Sequence, residues 1–353
     1  MQFLPPFLFV FILFNIANSS VAFRNININA DRRGRSENVN NSDVASAIIT
    51  VDQNGSGKFK TIQAAIDSIP SGNHDWIKIK ISRGIYTEKV TIPPDKSYIF
   101  LQGLGREKTI VTFFDHERTD TSATFSSSSD NVVAKGISFK NSYNRAQGPS
   151  DINDIGISAG SHVKQALAAR IYGDKSAFIE CGFIGFQDTL WDATGRHYFS
   201  NCHFEGAIDF IFGFAQSYYE NSLINVTVRT RLPTEIAVGF STAQGRASAN
   251  DPGGFRIRRR LSFWEWPSFV GESLWSLFKS NIPWHRFRSS CCPSRMGCVV
   301  DAYLCRDEFK GAGSNISERV AWEKKPGDIQ QILQEYSRSS FIDQDGWIDK
   351  LPR

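Results

Sequence analysis

The feature that most restricts how this chain can fold is a repeat inside it. Laying Phe178-Ile-Glu-Cys-Gly-Phe-Ile-Gly-Phe-Gln-Asp188 over Phe199-Ser-Asn-Cys-His-Phe-Glu-Gly-Ala-Ile-Asp209 gives identity at Phe178/Phe199, Cys181/Cys202, Phe183/Phe204, Gly185/Gly206 and Asp188/Asp209, each pair 21 residues apart. Gln165 precedes Gln187 by 22 residues, and Phe139 precedes Phe183 by 44, which reads as two turns of 22. A period of this size matches one coil of a parallel β-solenoid. Short β-branched and aromatic runs such as 47–51, 76–81, 98–101 and 132–139, broken by Gly, Asn and Asp, fit its strands. Only 61–69 has the spacing of an amphipathic helix. The expected fold is all-β, one large domain from residue 46 to residue 353.

In such a stack, equivalent residues on successive coils lie roughly 4.8 Å apart, so Gln165 falls above Gln187 and Asp188 above Asp209. Two carboxylates at that spacing do not both ionise cheaply; one keeps a proton near neutrality while its neighbour stays charged, an acid beside a nucleophile. The alternative is a structural Asp ladder facing solvent. The aromatic setting, Phe186 to Trp191 and Ile208 to Phe212, is an odd one for solvated side chains. Gln187 and Gln165 would supply amide donors where an oxyanion forms. Trp191 and Phe186 are either sugar-stacking faces or packing between coils.

The formal charge of +4 is spread along the chain, with no basic run suited to nucleic acid. Residues 1–22, with an apolar run from Phe7 to Ile16 and the small-residue exit Ser20-Val21-Ala22, read as a secretory signal peptide, and 23–45 as an unstructured spacer. No later apolar stretch is long enough for a membrane anchor. Export makes the sequons at Asn40, Asn54, Asn225 and Asn315 candidate glycan sites. It also puts Cys181 and Cys202, one coil apart, in an oxidising compartment, where they either bridge or stack as buried thiols.

The strings GFQDTL (Gly185 to Leu190), IDFIFG (Ile208 to Gly213), GIYTEKV (Gly84 to Val90), QALAAR (Gln165 to Arg170) and TAQGR (Thr242 to Arg246), in this order, resemble the plant pectin methylesterase family over residues 46–255 and 310–353. The resemblance implies a right-handed parallel β-helix of the single-domain form without an inhibitor-like pro-region. It implies an esterase that demethylates cell-wall homogalacturonan with no metal or organic cofactor, and proteinaceous pectinesterase inhibitors as partners. It makes Asp209 the nucleophile, Asp188 the acid and base, Gln165 and Gln187 the oxyanion stabilisers, and Thr119 a substrate contact; a simple turn hydroxyl is the other reading of Thr119. The family often pairs the position of Cys202 with a cysteine one coil later, where this chain has Ser222.

The family pattern stops after Phe255. It should continue with a GRxW or GRxY arginine that holds the nucleophilic carboxylate and then a GWxxW string; the chain instead reads Arg256-Ile-Arg-Arg-Arg260 and later Cys291-Cys292. Trp has one codon, so Trp264-Glu265-Trp266 read one nucleotide later forces Gly, Asn or Ser, and Gly. In that frame, with permitted codon choices, the stretch yields both GRAY and GWDAW at family spacing. Residues 256–306 therefore read as frame-shifted translation; a divergent insertion is the alternative. Family character returns by Lys310-Gly-Ala-Gly313. Two other functions remain open at this level: a β-helix polysaccharide lyase, which needs a calcium-binding carboxylate cluster not evident beside Asp188, and an inactive wall-binding remnant.

Overall fold

The computed structural model describes residues 45–144, 163–227, 242–245, 251–258, 334 and 336–352. The expected signal peptide 1–22, nearly all of the expected spacer 23–45, Asn40, Asn315 and most of the stretch 256–306 expected to be frame-shifted lie outside these residues. Strand β1 (Ala47–Val51) and helix α1 (Ile62–Asp67) lead into six coils of three strands each. The coils are β2 (Ile77–Ile81), β3 (Gly84–Thr87), β4 (Val90–Ile92); β5 (Ile99–Gln102), β6 (Thr109–Phe113), β7 (Phe125–Ser127); and β8 (Val132–Lys135), β9 (Ser138–Asn141), β10 (Ala169–Ile171). They continue with β11 (Ser176–Ile179), β12 (Gly182–Ile184), β13 (Leu190–Asp192); β14 (Arg196–Ser200), β15 (His203–Gly206), β16 (Ile211–Gly213); and β17 (Gln216–Glu220), β18 (Leu223–Val226), β19 (Thr242–Gln244). Strand β20 (Gly254–Arg258) follows. Each strand pairs in parallel with its counterpart one coil on, giving one eight-stranded and two six-stranded sheets, the architecture of a parallel β-helix.

Alternation builds the interior: residues at every second strand position point inward and stack on their equivalents in neighbouring coils. Phe178 pairs with Phe199 and Phe183 with Phe204, with ring centroids 5.2 and 5.0 Å apart and nearly parallel planes. Phe199 continues onto Tyr219 at 4.5 Å. Each fully buried ring contributes roughly 1.5–3 kcal/mol, so these stacks fix the register that the 21-residue period announces. Phe139 pairs directly with Phe183, so the 44 residues from one to the other make one coil and not the two expected from the period. The excess lies between β9 and β10, and β10 still pairs with β7 before it and β13 after it.

Helix α1, predicted from spacing at 61–69, is capped by Thr61, whose hydroxyl accepts from Ala64 N, while the Glu88 carboxylate accepts from Ile62 N and Gln63 N at 2.9 Å each. Its buried Ile62, Ala65 and Ile66 join the core. Further on, the segment 336–352, with the short helix α2 (Arg338–Phe341), lays Tyr336, Phe341, Ile342 and Trp347 on the outward residues Phe100, Val133, Ala177, Tyr198 and Tyr218 of the eight-stranded sheet.

The possible Cys181–Cys202 bridge is not formed. Both are buried free thiols, whose sulfurs donate to the backbone oxygens of Ala134 and Ile179, and of Phe178 and Ser200, respectively. Equivalent positions in a parallel ladder carry their Cβ vectors side by side, whereas a disulfide needs them turned toward each other about a dihedral near 90°. Burial pushes the Cys202 thiol well above its usual range.

The solenoid also runs past Phe255, where the sequence is expected to leave the family pattern. Strand β20 pairs with β17 from Gln216↔Gly254 to Glu220↔Arg258 and carries Phe255 and Ile257 into the core. Residues 256–258 thus hold strand geometry.

Candidate active site

The turns that join β6 to β7, β9 to β10, β12 to β13 and β15 to β16 stack along one edge of the solenoid. They carry, in that order, Thr119; Gln165; Gln187 and Asp188; and Asp209. Between the last two turns Asp188 N donates to Ile208 O at 3.0 Å and Leu190 N to Phe210 O at 2.9 Å, and Gln187 bridges Ile208. Leu190 pairs with Ile211 just beyond, so Asp188 and Asp209 occupy equivalent places on adjacent coils. Both have left-handed backbones, φ 58° and 45°, which Asp tolerates better than most residues. The turns are tight: a Cβ at Gly185 would come within 2.5 Å of Thr189 Oγ1, and one at Gly206 within 2.3 Å of Phe210 Cβ.

This placement sets the electrostatics. Burial, and after it the charge of Asp209, pushes the Asp188 carboxyl up to about 7. Burial also raises Asp209 above the usual carboxylate range. The charge of Asp209 thus favours the proton on Asp188, the acid of the two whose carboxyl is held near neutrality. Because the folded value of Asp188 lies above the unfolded one, the folded state prefers the neutral acid. That contribution is complete below the ordinary carboxylate range and is lost as pH rises to about 7, a loss on the order of 4 kcal/mol. Asp188→Asn, which has no charge to bury, is therefore expected to unfold at a higher temperature than the parent at pH 8 and at a similar one at pH 4; an equal difference at both pH values would refute this origin.

Ala166 N donates to Gln187 O at 3.3 Å, which sets Gln165 on the coil just before Gln187. Gln165 is exposed and Gln187 half-buried, and among the described residues neither side-chain amide has a hydrogen-bond partner. Beside the turns, the outward positions of one six-stranded sheet align as Ser126, Arg170, Trp191, Phe212 and Ala243. Trp191 stacks on Phe212 with centroids 5.6 Å apart and leans on Tyr172 at 5.8 Å.

Trp191 thus presents an aromatic floor next to the carboxylates. Phe186 does not: it is 5% exposed and packs with Ala207 against Val163 and Ile208, so the expectation of a sugar-stacking face is corrected there to packing. Phe212, Tyr172 and Arg170 were missed by sequence reasoning, although the period marks two of them as 21 residues on either side of Trp191. Thr119 sits in a turn closed by Ser122 N to Arg118 O at 2.8 Å, two coils before Asp188. Among the described residues no three His, Cys, Asp or Glu side chains converge as a metal site requires. The arginine that the resemblance would place on the nucleophile has no GRxW or GRxY counterpart in this chain, and within the described residues no guanidinium bonds to Asp209.

Taken together, the edge offers an ionisable carboxylate, a protonated one beside it, two free amides and an aromatic floor, which suits acyl transfer on a carbohydrate ester. A sequence model of the Pectinesterase family matches residues 48–262. "Putative pectinesterase 10" of Arabidopsis thaliana is 42% identical over 321 residues, covering 88% of this chain and 89% of that protein. "Probable pectinesterase 29" of the same plant is 39% identical, covering 86% and 89%. Among solved structures, a pectin methylesterase from carrot superposes with a TM-score of 0.54 at 30% identity, over 63% of this chain and 68% of that one. A pectin methylesterase in complex with a hexasaccharide gives a TM-score of 0.51 at 27% identity, over 61% and 67%.

Proposed function

The chain belongs to the pectinesterase family, and from that premise we propose that it cleaves pectin methyl esters with Asp209 as nucleophile and Asp188 as acid and base. The activity is that of a carboxylic ester hydrolase: methyl-esterified homogalacturonan and water give methanol and a free galacturonate carboxylate. The observation that carries the residue assignment is the divided pair, two carboxylates on adjacent coils of which Asp188 keeps its proton to about 7. Ionised Asp209 adds to the ester carbonyl carbon, and the amides of Gln165 and Gln187 receive the oxyanion of the tetrahedral intermediate. As the intermediate collapses, the C–O bond to the methoxy group breaks and Asp188 gives its proton to the leaving oxygen. The acyl group now rests on Asp209 as an anhydride. Asp188, ionised, takes a proton from water as the water attacks that carbonyl, which frees the product carboxylate and restores both groups. Trp191, on the floor beside the turns, stacks on the sugar ring, and Thr119 contacts the polymer farther along the edge.

Methanol release from methylated pectin tests the reaction class; unsaturated sugar ends in its place would identify a lyase. The pH profile tests the assignment. The value of kcat/KM is expected to fall as pH rises through about 7, because the proton on Asp188 is needed for the first step. A profile flat from pH 6 to pH 9 would contradict that role.

Residues 1–22 direct export to the cell wall in this reading, and Asn54, exposed in the turn after β1, is the best-presented glycan acceptor among the described residues. Proteinaceous pectinesterase inhibitors are the expected protein partners. Residues 256–306 are frame-shifted translation within the domain 46–353.

A further inference from the structure

Resting on the esterase reading, we infer that Arg170 is a specificity-determining residue that binds the free carboxylate of an unesterified galacturonate adjoining the ester under attack. Arg170 projects from β10 on the outer face of the sheet that carries Trp191, one coil before it. Its guanidinium carbon lies 5.3 Å from the centre of the Tyr172 ring and 5.9 Å from that of Trp191, so the group is held against the aromatic floor. One of its nitrogens donates to the backbone oxygen of Asp120, while Nε has no partner. Among the described residues no carboxylate forms a salt bridge with it, although the hydrogen bond and charge of Arg118, and after them the charge of Arg170, lower the Asp120 carboxyl. Asp120, the acid beside it, has both carboxylate oxygens taken by Arg118, at 2.9 and 2.7 Å.

A guanidinium offers five donors in a planar fork that matches a carboxylate; here Nε is buried and Nη1 gives one hydrogen to Asp120 O, while Nη2 remains unspent. The polymer provides two groups at each sugar, a neutral methyl ester or an anionic carboxylate, and only the second completes an ion pair. Arg170 lies about one rung, roughly 4.8 Å, from the coil of Asp188, so it meets a neighbouring sugar and not the reacting one. The esterase reaction itself converts the one group into the other on the same polymer, so each turnover creates a ligand for this residue.

The test titrates a de-esterified oligogalacturonate calorimetrically into the full-length chain repaired across residues 256–306, which reads binding without turnover. Arg170→Gln is expected to weaken binding about tenfold, and Arg170→Lys by less, since charge remains while the fork is lost. In parallel, the KM for partly de-esterified pectin relative to that for fully esterified pectin is expected to rise about tenfold in Arg170→Gln. If KM rises equally on both substrates, Arg170 only props the Trp191 stack and the inference is overturned. No binding by the parent chain, or unchanged binding in Arg170→Gln, overturns it as well. Binding that depends on Arg170 in a chain that releases no methanol would sustain the carboxylate site and sink the esterase reading alone.

Discussion

Asp209→Asn, in the chain repaired across residues 256–306, is expected to release essentially no methanol from methylated pectin, a loss of about 1,000-fold or more. An amide oxygen is a poor nucleophile and no other group on this edge can form the acyl intermediate, so the substitution removes the step itself and not merely its efficiency. Asp188→Asn keeps the nucleophile but loses proton transfer, and the expected cost is about 100-fold or more. The two losses should not add, because both residues serve the same intermediate. Neither change should disturb the coil, since Asn tolerates the left-handed backbone found at both positions. Initial rates per milligram of soluble protein, with thermal unfolding as a check on folding, decide the matter. Unchanged release in either variant would remove that residue from the mechanism.

The second large effect concerns the chain as written. A carboxylate attacks well when it is ionised and held at the right angle, and burial works against the first condition by raising Asp209. A guanidinium fork supplies both by charge and paired hydrogen bonds, yet within the described residues none reaches Asp209. The stack also needs its far end closed: beyond β20 an open rung would offer unpaired backbone and the apolar interior behind Phe255 and Ile257. The 353-residue product is therefore expected to be poorly soluble and at least tenfold less active per soluble milligram than the chain repaired across codons 255–306. Expressing both and assaying methanol compares them directly. Similar specific activity would show that the frame-shift interpretation, or the role given to the missing arginine, is wrong.

What the sequence made legible was periodic. The 21-residue spacing was enough to stack Asp188 on Asp209, Phe178 on Phe199 and Phe183 on Phe204, because parallel pairing copies an offset from one strand to all its neighbours. It was not enough to count coils across an insertion, and so the separation of Phe139 and Phe183 was doubled. Nor did it orient turn residues: strand parity decides in or out for Trp191 and Phe212, but it lapses in the tight turn where Phe186 buries itself. The docking of 336–352 on Tyr198 and Tyr218 had no signal at all, since it repeats nothing. The persistence of β20 through Arg258 has a related cause, in that ladder hydrogen bonds come from the backbone and accept an unfamiliar side-chain sequence so long as alternate residues are apolar.

The left-handed backbone at Asp188 and Asp209 bears on how such proteins can lose their chemistry over time. That conformation admits Gly, Asn and Asp but strains most other side chains, so selection for a sound coil alone would hold both sites to these few residues. Among them Asn keeps the size and shape of Asp, and a single base change turns an Asp codon into an Asn codon. The step nearest at hand from enzyme to silent copy therefore leaves the winding, the aromatic floor and Arg170 in place, and relieves the burial of a charge as well. Descendants of that step would be stable proteins that grip the polymer without cutting it, and lineages of this fold should shed catalysis more readily than shape.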